Sequence, residues 1–304
     1  MKIQNRAKIC LCISIVIMLV AVAMSLTGHG INYGIDFAGG LNLQYDMGST
    51  YDKADVEEAL KAQGIEEFVV STVGSEGTAV QIRVPTLSDE DEVQNLQNGL
   101  ETTLLEKYPN MDTDNATASY VGPVAGATLV RNAIFSVLIA AVLMLIYIAF
   151  RFDLFSGVAA VAGLLHDVLI MISFMVILRN VIQMNSSFIA AMLTIVGYSI
   201  NNTIVIFDRI RENNKKPALA GQPRSEIVEL SVKESLGRTI NTTLTTLVTI
   251  VTLYILGVAS IREFSLPIII GILAGAYSAN LINGYVWAAL EDARLARKSQ
   301  KKAA

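Results

Sequence analysis

TIVGYSINNTIVIFDRIREN, residues Thr194 to Asn213, starts apolar enough to lie in a bilayer and then breaks that rule. Tyr198, Ser199, Asn201 and Asn202 sit where lipid penalises polar groups, and the stretch ends in the charged run Asp208-Arg209-Ile210-Arg211-Glu212. Amides in hydrocarbon are costly unless they face protein or a wet cavity. The stretch therefore reads as a helix facing the interior of a membrane bundle, in a chain that moves something across a membrane.

The rest of the chain agrees. Of 304 residues, 53% are hydrophobic and 16% charged, with mean hydropathy +0.50, too apolar for an ordinary soluble domain. A membrane helix needs about 20 mostly apolar residues. Six stretches meet or approach that: Ile9–Thr27, Ala133–Phe150, Leu154–Leu178, Ser186–Phe207, Thr239–Val258 and Leu266–Leu290. The sixth carries Pro267 and the pair Gly271 and Gly275, whose spacing permits close helix approach. The first follows a basic segment with Lys2, Arg6 and Lys8, and Ala21-Val22-Ala23 resembles a cleavage site. Its apolar run is longer than the roughly 7–15 residues of a signal-peptide core, which favours a retained anchor. Cys10 and Cys12, two residues apart on one helix, do not face each other and read as packing. There is no disulfide framework to read.

Charge sets the expected orientation. Between Gly28 and Asn132 there are 17 Asp/Glu and 5 Lys/Arg, whereas 16 of the chain's 23 basic residues lie in the N-terminus, at Arg151, in 208–238 and after Leu290. The positive-inside rule places that second set, and both termini, in the cytoplasm. The expected organisation is an N-terminus and first span at 1–28, an extracytoplasmic domain at 29–130, five spans at 131–290 with a basic loop at 208–238, and a basic tail at 291–304. The tail reads as a solvated, orienting end, with membrane lipid or ribosomal RNA as the sharper alternative.

The outer domain reads as strand, helix, two strands, helix, strand. The strands are expected at Ile31–Met47, Glu67–Val73, Thr78–Pro85 and Ala116–Val121, and the first helix at Asp52–Gln63. Gly74 to Gly77 makes the turn between the middle strands, and Ser88 with Asp91 caps the second helix, which ends before Pro109. This βαββαβ order is ferredoxin-like and leaves one sheet face free for a partner. The domain opens with Gly34-Ile35-Asp36-Phe37-Ala38-Gly39-Gly40. No Gly-Lys-Ser/Thr follows, so a tight bend is expected rather than a phosphate loop, with Asp36 capping it. His29 reads as an interfacial residue.

Inside the spans, Asp167 is the one carboxylate near the middle of an expected helix, and His166 precedes it. An ionisable group there is a functional candidate by default. Histidine titrates near neutral pH and burial favours a protonated carboxyl, so a relay and a hydrogen-bonded brace are both open. In the fourth span Tyr198 and Asn202 share a face, while Thr194, Asn201 and Asp208 form a neighbouring stripe. Arg238 opens the fifth, followed by Thr242, Thr245, Thr249 and Thr252 on one face. The polar face of the fourth span is expected to meet Arg238 and these threonines. There is no nucleophile or metal set at matching depth, and an intramembrane enzyme ranks low.

Together these residues resemble the SecF branch of the SecD/SecF family, in the RND superfamily. The resemblance rests on Gly34 to Gly40, Val121-Gly122-Pro123, His166-Asp167, Gly197 to Asn201 leading to Asp208-Arg209-Ile210-Arg211-Glu212-Asn213, and Arg238-Thr239-Ile240-Asn241-Thr242. It covers essentially the whole chain. It implies a non-enzymatic membrane subunit with six spans in a one-plus-five layout, without a cofactor or metal. It implies a SecD-like subunit, the SecYEG channel, a translocating preprotein and membrane lipid as partners, with no nucleic acid, and coupling to the proton-motive force. The family's relay positions fall at 202 and 238. Arg238 matches, but Asn202 stands where the family commonly has aspartate. An amide carries no proton in the ordinary pH range, so a partner's carboxylate, Asp167 or another ion such as sodium must serve. Asn201, Tyr198 and Thr242 complete the candidate relay set, and Asp208 and Arg209 belong to the structural motif. The rival reading is an RND-type exporter of lipid or small molecules, for which one small outer domain is too little to form a funnel.

Overall fold

A computed structural model describes residues 3–73, 77–85 and 90–303. Its elements run α1 (Ile3–Leu26), α2 (Ile35–Ala38), β1 (Gly40–Asp46), α3 (Lys53–Ala62), β2 (Val69–Val73), β3 (Ala79–Val84), α4 (Glu90–Lys107), β4 (Asp112–Val121), α5 (Pro123–Arg151), α6 (Leu154–Ile177), α7 (Ser186–Asn214), α8 (Arg224–Leu256), α9 (Ala259–Ser278) and α10 (Gly284–Ala303). A π-helical turn, Ala279–Asn283, joins the last two. The protein is predominantly helical with one small antiparallel sheet. The chain divides into two compact units, one of Met1–Asn32, Phe135–Ile182 and Ser187–Ala304, the other of Tyr33–Ile134 and Gln183–Ser186.

In the second unit the sheet order is β2-β3-β1-β4, every neighbouring pair antiparallel. Alternation decides which face is covered. Leu41, Leu43 and Tyr45 of β1 oppose Val84, Ile82 and Val80 of β3, and all six are buried. Val56, Ala59 and Leu60 of α3 and Leu96, Leu100 and Leu104 of α4 recur at helical spacing and pack on that face. The opposite face carries Asn42 and Gln44 beside Arg83, Gln81, Ser119 and Thr117. Asp52 caps α3, accepting from the Ala54 N–H at 3.0 Å. At the far end of α4, Tyr108 and Lys107 donate to the Asp55 carboxylate at 2.6 and 3.0 Å, tying the two helices together. The Tyr108 hydroxyl, and then Lys107, hold that carboxyl below the usual aspartate range.

The opening of this unit departs from the expected strand at Ile31–Met47. Ile35–Ala38 forms one helical turn, and β1 begins only at Gly40. Gly39 and Gly40 both have positive φ, at 78° and 109°. A Cβ on Gly40 would overlap the Val84 carbonyl of β3. The glycine pair therefore turns the chain sharply and lets β1 lie against β3, which a β-branched residue forbids. Asp36 does not cap this bend. Its carboxylate accepts from the Ser186 N–H at 2.7 Å and from the Ser186 hydroxyl, at the first residue of α7. The expected turn at residues 74–76 and the Ser88 cap lie outside the described residues.

Among the described residues, six helical segments are long and apolar enough to cross a membrane: Ala7–Leu26, Ala125–Arg151, Leu154–Ile177, Ser186–Asn214, Arg224–Leu256 and Ser260–Arg297. The helices outrun the expected spans. Residues 208–238 are not a loop for the most part, because α7 continues to Asn214 and α8 begins at Arg224. The reason is a stripe of Ile227, Val228, Ser231, Val232, Ser235 and Thr239, buried at three- and four-residue steps. Pro217 and Gly221 punctuate the short connection between them. The α6 and α7 helices bury many side chains, whereas α1 and α5 leave apolar residues such as Val16, Leu19, Phe135 and Leu138 exposed, as lipid-facing helices do.

Two outcomes follow from this architecture. Gly40→Ala is expected to disrupt β1–β3 pairing, read as lost hydrogen-exchange protection in both strands of the intact protein, while Leu100→Ala costs about 2–5 kcal/mol through its cavity. Because the Asp55 carboxyl is held low, its contribution is present above the unfolded carboxylate pKa and fades as pH falls through the folded value. The difference in urea midpoint between wild type and Asp55→Asn is therefore expected to shrink from about pH 7 to about pH 3.

Candidate functional site

Small residues bring α6, α7 and α9 close enough to enclose a polar group. A Cβ on Gly271 would meet Ile195 and Met171, and one on Gly275 would meet Ser199 at 3.0 Å. On α6, a Cβ at Gly163 would overlap the Asn283 side chain. Glycine at these places permits backbone approach that larger residues forbid. The Gly271 and Gly275 pair thus serves packing around α7.

The enclosed group is the Asp167 carboxylate, which is 0% exposed. Oδ2 accepts from the Ser199 hydroxyl of α7 at 2.5 Å and the Ser278 hydroxyl of α9 at 2.9 Å. Oδ1 lies 2.9 Å from Nδ1 of His166. The neighbours Asp167 and His166 thus bond to each other. On the far side of the imidazole, Nε2 is 2.8 Å from the Ser14 hydroxyl of α1 and 2.8 Å from the Tyr277 hydroxyl of α9. Those two hydroxyls are 2.5 Å apart, and Tyr277 stands edge-on to the imidazole. Ser14 also donates to the Cys10 carbonyl at 3.0 Å.

This arrangement can hold a proton in more than one place. When Nδ1–H faces the carboxylate, Nε2 accepts from Ser14 or Tyr277; when the imidazole is doubly protonated, both nitrogens donate. Each hydroxyl can turn its hydrogen to a different neighbour. A chain runs from the Ser14–Tyr277 hydroxyls through His166 to Asp167 and its two serines. A buried carboxylate is tolerable only with such donors, because an unsatisfied charge in a dry interior is costly.

One helical turn along from Ser199, a neutral polar group continues the bundle interior. Asn283 of the π turn donates to Thr203 at 2.8 Å, and Thr203 donates to the Ser199 carbonyl at 3.1 Å. Thr239 of α8 donates to Asn280 at 3.1 Å. π turns gather at functional sites because they free backbone groups and redirect side chains. Asn202 lies here, 1% exposed, and its Nδ2 has no partner, as is true of Asn283 Oδ1, Tyr198 Oη and Thr243 Oγ1.

The other expected residues fall elsewhere. Arg238 is exposed and, among the described residues, makes no ion pair. Among the described residues it makes no hydrogen bond with buried Asn202. Thr242, Thr245, Thr249 and Thr252 return their hydroxyls to carbonyls of their own helix, Thr242 to that of Arg238 at 2.9 Å. Ile240, Leu244 and Val248 are exposed with them, so this side of α8 is left open by the described residues. Asn201 and Thr194 are exposed. Asp208 stands 3.7 Å from Arg151, and Arg209 binds Glu212 and Glu234 at 2.6 and 2.8 Å, bracing the ends of α7 and α8. Gly34 donates to the Met184 carbonyl at 2.9 Å, and the Phe37 carbonyl lies against Gly126, so the glycine-rich opening is architectural. His29 bonds locally, to Met24 and Thr27.

Sequence reasoning missed Ser14, Tyr277 and Ser278 as members of the site. Tyr277-Ser278, polar and adjacent inside an apolar run that Gly271 and Gly275 already marked for close packing, was the available signal. Ser14 is an isolated hydroxyl within the apolar run from Ile9 to Met24 and gives none.

Removing the Asp167 carboxylate strands the hydroxyls and imidazole that bind it. Asp167→Ala is expected to destabilise the helical unit by about 1–3 kcal/mol or more, read as a lower Tm in detergent. Asp167→Asn, which keeps an acceptor, should lose less. An unchanged Tm in both variants would remove this network from the account.

The chain matches two family models: "Protein export membrane protein SecD/SecF, C-terminal" over residues 101–293, and "SecD/SecF GG Motif" over residues 25–49, which contain Gly39-Gly40. It is 35% identical to a protein translocase subunit SecF of Rickettsia bellii over 252 residues, covering 83% of this chain and 81% of that one. It is 34% identical to a protein translocase subunit SecDF of Bacillus subtilis, covering 88% of this chain and 35% of that protein. The crystal structure of SecDF, a translocon-associated membrane protein from Thermus thermophilus, superposes with TM-score 0.80 at 32% identity, over 95% of this chain and 38% of that one. A SecDF crystal structure in a super-membrane-facing form superposes at 0.68 with 30% identity, over 99% and 40%. The chain thus spans about two-fifths of each of these two SecDF chains.

Proposed function

The chain belongs to the SecD/SecF family of protein export membrane proteins, and we propose that it is the SecF-type accessory subunit of the Sec protein translocase, driven by an ion gradient through Asp167. The observation that carries the ion assignment is the fully buried Asp167 carboxylate, reached through His166 by a chain of hydroxyls that can each reverse a hydrogen bond. Position 202 is an amide and holds no exchangeable charge. Asp167 is therefore the carrier within this chain, and the proton is the coupling ion the imidazole favours.

Several features support the wider reading. One candidate span precedes the sheet and five follow it, which suits a one-plus-five layout. The strand order and antiparallel pairing suit a ferredoxin-like outer domain at 29–130, between a first span at 1–28 and a bundle at 131–290. The basic residues at Arg151, in 208–238 and in the tail at 291–304 support cytoplasmic termini in a bacterial cytoplasmic membrane. The SecDF relatives extend well beyond the matched segment, which supports a SecD-like partner for this chain. The uncovered side of α8, with Arg238 and its threonines, is the surface that subunit would cover. The SecYEG channel and a translocating preprotein complete the proposed assembly, and the work is transport rather than turnover.

In cells, Asp167→Asn should lower preprotein release to the level of cells lacking the chain, while the protein still co-purifies with its SecD-like partner. Wild-type export in that variant, under either a proton or a sodium gradient, would overturn the assignment. Asn202→Asp is expected to remain functional, because it restores the commoner family residue. Arg238→Ala should impair export without preventing membrane insertion, and normal export in that variant would remove Arg238 from the coupling surface.

A further inference from the structure

A cleft of about 380 Å³ lies between the start of α1, the start of α8, the π turn and α10. That is within the usual range of ligand pockets, about 300–1,000 Å³. Its wall is apolar, with Leu11 and Val286 among its residues, and its polar part is Lys8, Ser225, Tyr285 and Asp292. Lys8 and Asp292 make no ion pair among the described residues. The Tyr285 hydroxyl is buried and has no hydrogen-bond partner. A buried hydroxyl left unpaired costs about 1–3 kcal/mol, so a group that binds it is favoured.

The composition of this cleft differs from that of its neighbours. The cleft lined by Ile13, Ile17, Phe174 and Leu273 is apolar apart from Cys10 and Tyr277 and carries no charge. The smaller one beside Leu244 and Leu247 holds only neutral polar groups, Thr239, Thr243 and Asn280. Here one cation, one anion and two hydroxyls meet a hydrocarbon wall at the end of membrane-spanning helices. We infer that this cleft is a binding site for one glycerophospholipid with a zwitterionic, primary-amine headgroup, of the phosphatidylethanolamine type. The phosphodiester takes Lys8 and the hydroxyls of Tyr285 and Ser225, the ammonium takes Asp292, and an acyl chain lies along Leu11 and Val286. A purely anionic headgroup would satisfy Lys8 and leave Asp292 facing a like charge. A quaternary amine would supply the charge but no N–H donor to Asp292.

The test uses the purified full-length chain in neutral detergent. It is titrated with phosphatidylethanolamine, phosphatidylcholine and phosphatidylglycerol of identical acyl chains, and bound lipid is counted by native mass spectrometry. Phosphatidylethanolamine should bind on the order of tenfold more tightly than either of the others, the factor set by one charged hydrogen bond. Asp292→Asn should erase that preference, and Lys8→Ala and Tyr285→Phe should each weaken binding. Free glycerophosphoethanolamine, which lacks acyl chains, should not compete. Equal binding of all three lipids by the wild-type chain overturns the inference without recourse to any variant. So does tighter binding of phosphatidylglycerol, competition by the free headgroup, or wild-type behaviour in all three variants.

Discussion

A carboxylate buried among apolar helices dictates much of this structure. Asp167 has no solvent to stabilise it, so the bundle must supply donors from every side. Ser199, Ser278 and His166 do so, and each comes with a packing demand. Gly275 lets α9 lie close against Ser199 of α7, and Ile195 nests where Gly271 has no side chain. His166 is itself held by hydroxyls from the first and last spans. The glycines, the serines and the order of the helices thus answer one electrostatic requirement.

The same requirement separates two kinds of polar residue. Around Asp167 nearly every group is paired, and the pairs can exchange protons. Asn202 and several other buried groups of the bundle, by contrast, lack partners. The Arg238 side of α8 differs again, with its threonines satisfied by their own backbone and apolar residues exposed beside them. A helix face of that kind is complete as a helix and incomplete as part of a bundle.

How much of this the sequence revealed depended on the kind of signal. Membrane helices were legible because twenty apolar residues leave few alternatives, and the sheet's covered face was legible in its alternation. The helical character of much of 208–238 is hidden by its charge, although Ile227, Val228, Ser231 and Val232 keep helical spacing. The bend at Gly34 to Gly40 was recognised, but the partner of Asp36 is 150 residues away, at Ser186, and no local pattern reports it. His166 and Asp167 stood out as ionisable residues in hydrocarbon. Ser14, Tyr277 and Ser278 did not, since hydroxyls are common in spans and only tertiary packing shows which of them face a charge. Asn202 and Arg238 share no hydrogen bond among the described residues, since shared polarity does not establish shared position.

The most direct test of the central claim is ion flux through the reconstituted pair of this chain and its SecD-like subunit, in vesicles loaded with a pH-sensitive dye. With an imposed pH gradient, the wild-type pair should acidify the lumen faster than empty vesicles, Asp167→Asn should abolish the difference, and Asn202→Asp should preserve it. Undiminished proton flux in Asp167→Asn would contradict the account, because the ion would then cross by a route that does not use this carboxylate.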